Sequence, residues 1–132
     1  MKWAGKRYNW SEESSLPGQP GIEFTYVPPC GSFEDLSGKV TGVKPGDYRV
    51  AVYIYVEGWW NKPYWDKPLT LIQPDGTWMC DITTGGSDQR ATRIVAYLVP
   101  NGYSPPILSG DESLPSELEQ NSVAWIEVRR SP

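Results

Sequence analysis

From Ile22 onward, apolar and polar positions alternate with the period of a β-strand. Ile22, Phe24 and Tyr26 alternate with Glu23, Thr25 and Val27, and Pro28-Pro29 closes the run because proline donates no ladder hydrogen bond. Leu36, Gly38 and Val40 predict a second strand, and Pro45-Gly46-Asp47 a turn after it. Residues 48–57 give the clearest strand. Val50, Val52, Ile54 and Val56 share one face, while Ala51, Tyr53, Tyr55 and Glu57 share the other. The β-branched face is a core face. The tyrosine face is either a second buried surface or a binding face. Pro63 and Pro68 predict an irregular loop over residues 58–68, followed by a short strand over 69–72. Pro74-Asp75-Gly76 is a turn, and its hairpin partner over 77–82 carries Trp78, Cys80 and Ile82 on one face. Residues 83–89 are polar and glycine-rich. Residues 90–99 are apolar on both sides, which predicts a central strand. A Pro/Gly loop over 100–110, a helical turn within 113–121 and a closing strand over 123–128 complete the pattern.

About seven short antiparallel strands with frequent turn signals predict an all-β fold: a β-sandwich with Ig-like or Greek-key connections, or else a small barrel. The length of 132 residues fits one domain. Residues 21–132 form that domain. Residues 1–20 lack a sustained period and read as a linker or an appended tail, with Trp3, Tyr8 and Trp10 unplaced.

Composition sharpens the functional reading. Seven Trp and eight Tyr stand against two Phe, a bias toward rings with an apolar face and a polar edge. The formal net charge of -4 speaks against nucleic acid, which calls for a basic patch. The absence of His excludes Ser-His-Asp and His-ligated zinc chemistry within this chain. Cys30 and Cys80 are expected to form one disulfide, which implies an oxidising, extracellular compartment and contributes roughly 4 kcal/mol through loop closure. No apolar run is long enough for a membrane helix, so no membrane partner is expected. The first residues lack the apolar run of a signal peptide, so a secreted protein would be represented here by a mature fragment or an excised domain.

Candidate chemistry concentrates in residues 58–68. Trp59, Trp60, Tyr64 and Trp65 crowd a proline-stiffened segment, and loops run over the surface. Neighbouring residues point to opposite sides, so one ring of each adjacent pair packs inward and the other faces solvent. Stiff exposed rings lose little entropy on binding. They match the apolar C–H face of a β-linked hexose, whose hydroxyls could bond to Asn61, Lys62, Asp66, Gln73 and Glu57 or to the phenols of Tyr53 and Tyr55. Tyr103 could extend the platform. Trp78 and Trp125 lie within strands and belong to the core. The same ring types also dominate protein–protein hot spots, so an Ig-like adhesion or interdomain interaction module is the alternative.

Catalysis is not expected. Asp66, Asp75, Asp81, Asp88, Asp111, Glu112, Glu117 and Glu119 form no recognisable glycosidase pair. No cofactor is required. A structural calcium at Asp111-Glu112 or in the loop 84–88 is an option, although neither spacing matches a known calcium loop.

Three segments resemble non-catalytic modules of bacterial glycoside hydrolases, and specifically the family 81 carbohydrate-binding modules. They are Gly58-Trp59-Trp60-Asn61-Lys62-Pro63-Tyr64-Trp65, Cys80-Asp81-Ile82-Thr83-Thr84-Gly85-Gly86 and Leu98-Val99-Pro100-Asn101-Gly102-Tyr103. The resemblance spans roughly residues 22–130, and its first motif is the most specific. It implies a β-sandwich that binds β-1,4-linked or mixed-linkage glucans of plant cell walls, with xyloglucan and mannan as further candidates. It also implies an appended hydrolase such as an endoglucanase, and a binding role for the aromatic residues of the first motif.

Overall fold

A computed structural model describes residues 18–132. The chain runs β1 (Gly21–Tyr26), β2 (Leu36–Thr41), β3 (Tyr48–Tyr55), β4 (Trp59–Lys62), β5 (Thr77–Cys80), β6 (Arg93–Pro100), β7 (Ser109–Asp111), α1 (Glu117–Asn121) and β8 (Ala124–Arg129). The strands form a three-stranded sheet, β1-β2-β5, and a five-stranded sheet, β7-β4-β3-β6-β8. The architecture is an all-β sandwich with eight strands among the described residues, where the sequence pattern predicts about seven. Of the expected tail, residues 1–17, including Trp3, Tyr8 and Trp10, lie outside the described residues.

Strands β3 and β6 are the frame. They pair antiparallel over their full length, from Tyr48↔Pro100 to Tyr55↔Arg93. Their alternation sorts side chains onto two faces. Val50, Val52, Ile54, Ile94, Ala96 and Leu98 face the three-stranded sheet and bury among Ile22, Phe24, Leu36, Val40, Trp78 and Cys80. Burying each such aliphatic side chain contributes about 1.5–3 kcal/mol. Trp78 lies over Gly38, where a Cβ would come within 2.2 Å of the indole, so glycine is what lets this ring pack flat on β2.

The opposite face settles the fate of the tyrosines: it is a second buried surface. Ala51, Tyr53, Val95, Tyr97 and Val99 pack with Trp59, Leu108 and Leu118 beneath the segment 101–122, which includes α1. Tyr53 donates its hydroxyl to Pro106 O at 2.6 Å, so its phenol is spent on the fold. Burial pushes the ionisation of Tyr53 and Tyr97 well above the usual phenol range. Trp78 is buried as expected, while Trp125 is half-buried against the Tyr97 ring.

Three local expectations are corrected. Residues 59–62 form a strand, β4, which pairs with β3 from Tyr55↔Trp59 to Val52↔Lys62. Residues 69–72 contribute only a bridge between Thr70 and Val50. The expected Cys30–Cys80 disulfide is not formed, and both cysteines are free. Cys80 points into the core from β5, and its thiol is pushed up to about 12 by burial. Cys30 sits half-exposed beyond β1, with its thiol toward Ala91 O.

Candidate functional site

Strand β4 determines which aromatic residues reach solvent. Its alternation places Trp59 and Asn61 on the tyrosine face and Trp60 and Lys62 on the opposite one. Trp59 is only 2% exposed. Its ring meets Tyr55 edge-on at 5.3 Å, and the Arg93 guanidinium lies 4.9 Å from its centroid. Arg93 is held there by Glu127 at 2.6 Å. Trp59 and the half-buried Tyr55 are therefore packing residues and not part of an open platform. Tyr103 belongs to the same covered face and donates its hydroxyl to Glu117.

Asn61, 3% exposed, is an anchor. Its Oδ1 accepts from Leu108 N at 3.1 Å, and its Nδ2 donates to Tyr64 O at 3.3 Å. The amide thus ties the turn that follows β4 to the covering segment, and that turn carries Tyr64 and Trp65. The turn closes through a Tyr64↔Lys67 bridge and contains the cis Lys62–Pro63 peptide. Tyr64 and Trp65 stand 50% and 61% exposed.

Beside them opens a cleft of about 720 Å³. Trp60, Tyr64 and Trp65 form its aromatic wall, and residues 84–88 form the facing wall. The cleft exists because the five-stranded sheet is the wider one. The three-stranded sheet lies toward the other end, with β1 against β8 and β6, which leaves the inner side of β4 to be covered by a loop. Trp60 is half-buried, packs its inner side against the main core and donates its indole N–H to Val56 O at 2.9 Å. Just before β4, Gly58 at φ 114 passes against Gly110, where a Cβ would lie 2.4 Å from the carbonyl oxygen. Only glycine allows β4 and β7 to meet so closely there.

A buried polar knot fixes the distance between the walls. Lys62 Nζ lies 2.5 Å from Asp88 Oδ2 and donates to Thr84 Oγ1 at 3.0 Å. The same Asp88 oxygen accepts from the backbone N–H groups of Thr84 and Gly85, both at 3.1 Å. The Thr84 hydroxyl donates in turn to Pro63 O at 2.8 Å. Lys62 is thus internal and is not a donor awaiting a sugar. One Asp88 carboxylate oxygen is thus shared among Lys62 and two backbone N–H groups. Among the described residues, no three Asp, Glu or Cys side chains cluster as a cation site. Gln73 lies outside the cleft lining, whereas Glu57 and Asp66 line it and are exposed.

Of the ring set in the sequence, the structure gathers Trp60, Tyr64 and Trp65 and separates off Trp59, Tyr55 and Tyr103. The facing wall, Thr84-Gly85-Gly86-Ser87-Asp88, is not marked in the sequence as a partner of the aromatic motif. Its only sequence signal is a glycine-rich polar run of the kind that marks any loop. Comparison with family models, with curated proteins and with solved structures finds no match to this chain.

Proposed function

We propose that this domain is a non-catalytic carbohydrate-binding module that takes a β-linked plant polysaccharide into the cleft between Trp65 and residues 84–88. The observation that carries this reading is the pair of exposed rings, Tyr64 and Trp65, set on an anchored turn at the edge of a 720 Å³ cleft whose inner wall is a third ring, Trp60. An immobilised aromatic surface suits the C–H face of an equatorially linked pyranose, and the backbone and hydroxyl groups of Gly85, Gly86 and Ser87 opposite suit its hydroxyls. The stiffness of both walls limits the entropy lost on binding. The ligand class is a β-1,4-linked or mixed-linkage glucan, with xyloglucan and mannan as related candidates. In this reading the domain tethers an appended glycoside hydrolase outside the cell. Secretion then follows from the nature of the ligand, since Cys30 and Cys80 are free.

Affinity electrophoresis in gels containing β-glucan, xyloglucan or glucomannan tests the proposal. Trp65→Ala should weaken binding by about 1–3 kcal/mol, the scale of a hot-spot ring, and leave stability within about 0.5 kcal/mol. Migration unchanged by every polysaccharide would overturn it and favour a protein partner for the same rings.

A further inference from the structure

The charges around the cleft carry a second conclusion, which rests on the proposed function and names the chemistry of the sugar. The ionisable lining residues other than tyrosine are Glu57, Lys62, Asp66 and Asp88. Lys62 and Asp88 neutralise one another inside the wall. Glu57 and Asp66 are exposed and make no ion pair among the described residues. The cleft lining therefore presents three rings and two carboxylates that make no ion pair among the described residues, and its one cation, Lys62, is spent on Asp88; exposed Lys67, next to Asp66 in the chain, lies outside the lining. Aromatic faces and carboxylates both attract positive charge. A uronate would meet like charge, and a low-dielectric wall of Trp60 and Trp65 would sharpen the penalty.

We propose that the cleft, beyond accepting the neutral β-1,4-linked glucan of the proposed function, discriminates by charge: a β-1,4-linked polymer bearing protonated amino groups, a hexosamine glycan, binds in the same place more tightly, and a uronate-bearing chain more weakly. The amine replaces one equatorial hydroxyl and leaves the apolar C–H face intact, so the stacking on Tyr64 and Trp65 is retained. Asp66, next to Trp65 in the chain, and Glu57, at the Trp60 end, offer the ammonium partners along the cleft.

The test uses three β-1,4-linked hexamers that differ only in charge: glucosamine hexamer, cellohexaose and cellohexaose oxidised to the uronate at C6. Calorimetric titration is run at mildly acidic pH, where hexosamine amines are protonated and ordinary carboxylates ionised. The amine should bind about tenfold tighter than cellohexaose, and the uronate about tenfold weaker, with the spread shrinking as salt is added. Glu57→Gln/Asp66→Asn should bring the amine-to-neutral ratio close to one. Glu23→Gln/Glu119→Gln removes the same charge on β1 and α1, outside the cleft lining, and should preserve the ratio. Cellohexaose bound as tightly as the amine would overturn the charge selection and leave the carbohydrate reading standing. An equal collapse of the ratio in the remote double variant would also overturn it, by assigning the preference to net charge. Failure of all three hexamers to bind would remove the carbohydrate reading and this inference with it.

Discussion

Asp88→Ala should destabilise the domain by about 3–5 kcal/mol, the usual consequence of stripping one partner from a buried ion pair. The side chains of Lys62 and Asp88 are 9% and 8% exposed, and their charged atoms lie 2.5 Å apart. Without the carboxylate, the Lys62 ammonium keeps only the Thr84 hydroxyl, and the N–H groups of Thr84 and Gly85 lose their acceptor. Each orphaned N–H contributes about 1 kcal/mol to the loss, with the remainder coming from the uncompensated ammonium. Lys62→Met should be milder, about 1–3 kcal/mol, because Asp88 retains both N–H donors. The double variant Lys62→Met/Asp88→Ala should fall short of the summed single effects by about 2 kcal/mol, since the buried lone ammonium is then gone. Urea unfolding followed by tryptophan fluorescence measures all three. The Asp88→Ala midpoint temperature should drop by about 10–15 °C for a domain of this size. A loss below about 1 kcal/mol with additive singles would place the pair in the class of exposed ion pairs and refute its role in setting the separation of the cleft walls.

Other outcomes follow from burial. Trp59→Ala should lower stability by about 3–5 kcal/mol, in contrast to Trp65→Ala, because it empties a packed site; chemical denaturation separates the two variants. A thiol-reactive disulfide reagent should titrate half-exposed Cys30 in the native protein and reach buried Cys80 only on unfolding; two equally fast thiols would contradict the packing of β5. Alkaline pH should erode stability. The folded-state values of Cys80, Tyr53 and Tyr97 are all raised by burial, so the native state holds protons that the unfolded chain releases. The stabilisation is complete below about pH 9, and for Cys80 it is lost as pH climbs toward about 12, at about 1.4 kcal/mol per pH unit for each group. Unfolding free energies measured from neutral to alkaline pH should therefore fall; a flat profile would contradict it.

The sandwich is legible in the sequence wherever one property repeats with period two. Val50, Val52 and Ile54 and their partners Ile94, Ala96 and Leu98 announce the central pair without ambiguity, because both strands are apolar on the face they share. Strand β4 is illegible for the converse reason. Its inward positions include Asn61 and Lys62, which become acceptable there only through Leu108 N and Asp88, partners that are remote in the chain. Strand β7, Ser109–Asp111, carries no apolar residue at all and exists because Gly58 and Gly110 allow the close approach. The short run 69–72 shows the opposite failure: Leu69, Leu71 and Ile72 have the composition of a strand, yet Thr70 makes only a bridge. Three rings of the aromatic motif, Trp60, Tyr64 and Trp65, line the cleft. Which of its rings face water was decided by the register of β4, and register is set by pairing and not by composition.

Strand β8 lies at the rim of the five-stranded sheet, where a strand would ordinarily peel away one hydrogen bond at a time under load. Just beyond it, the buried guanidinium of Arg130 donates to the carbonyls of Pro28, Pro29, Gln89 and Ala91. That grip rivets the trailing end of the rim strand to the loop that leaves β1. Tension applied at the chain's C-terminal side must break several charge-assisted contacts together before the zipper of β8 can start to open, so the domain resists pulling as a closed loop and not as a free edge.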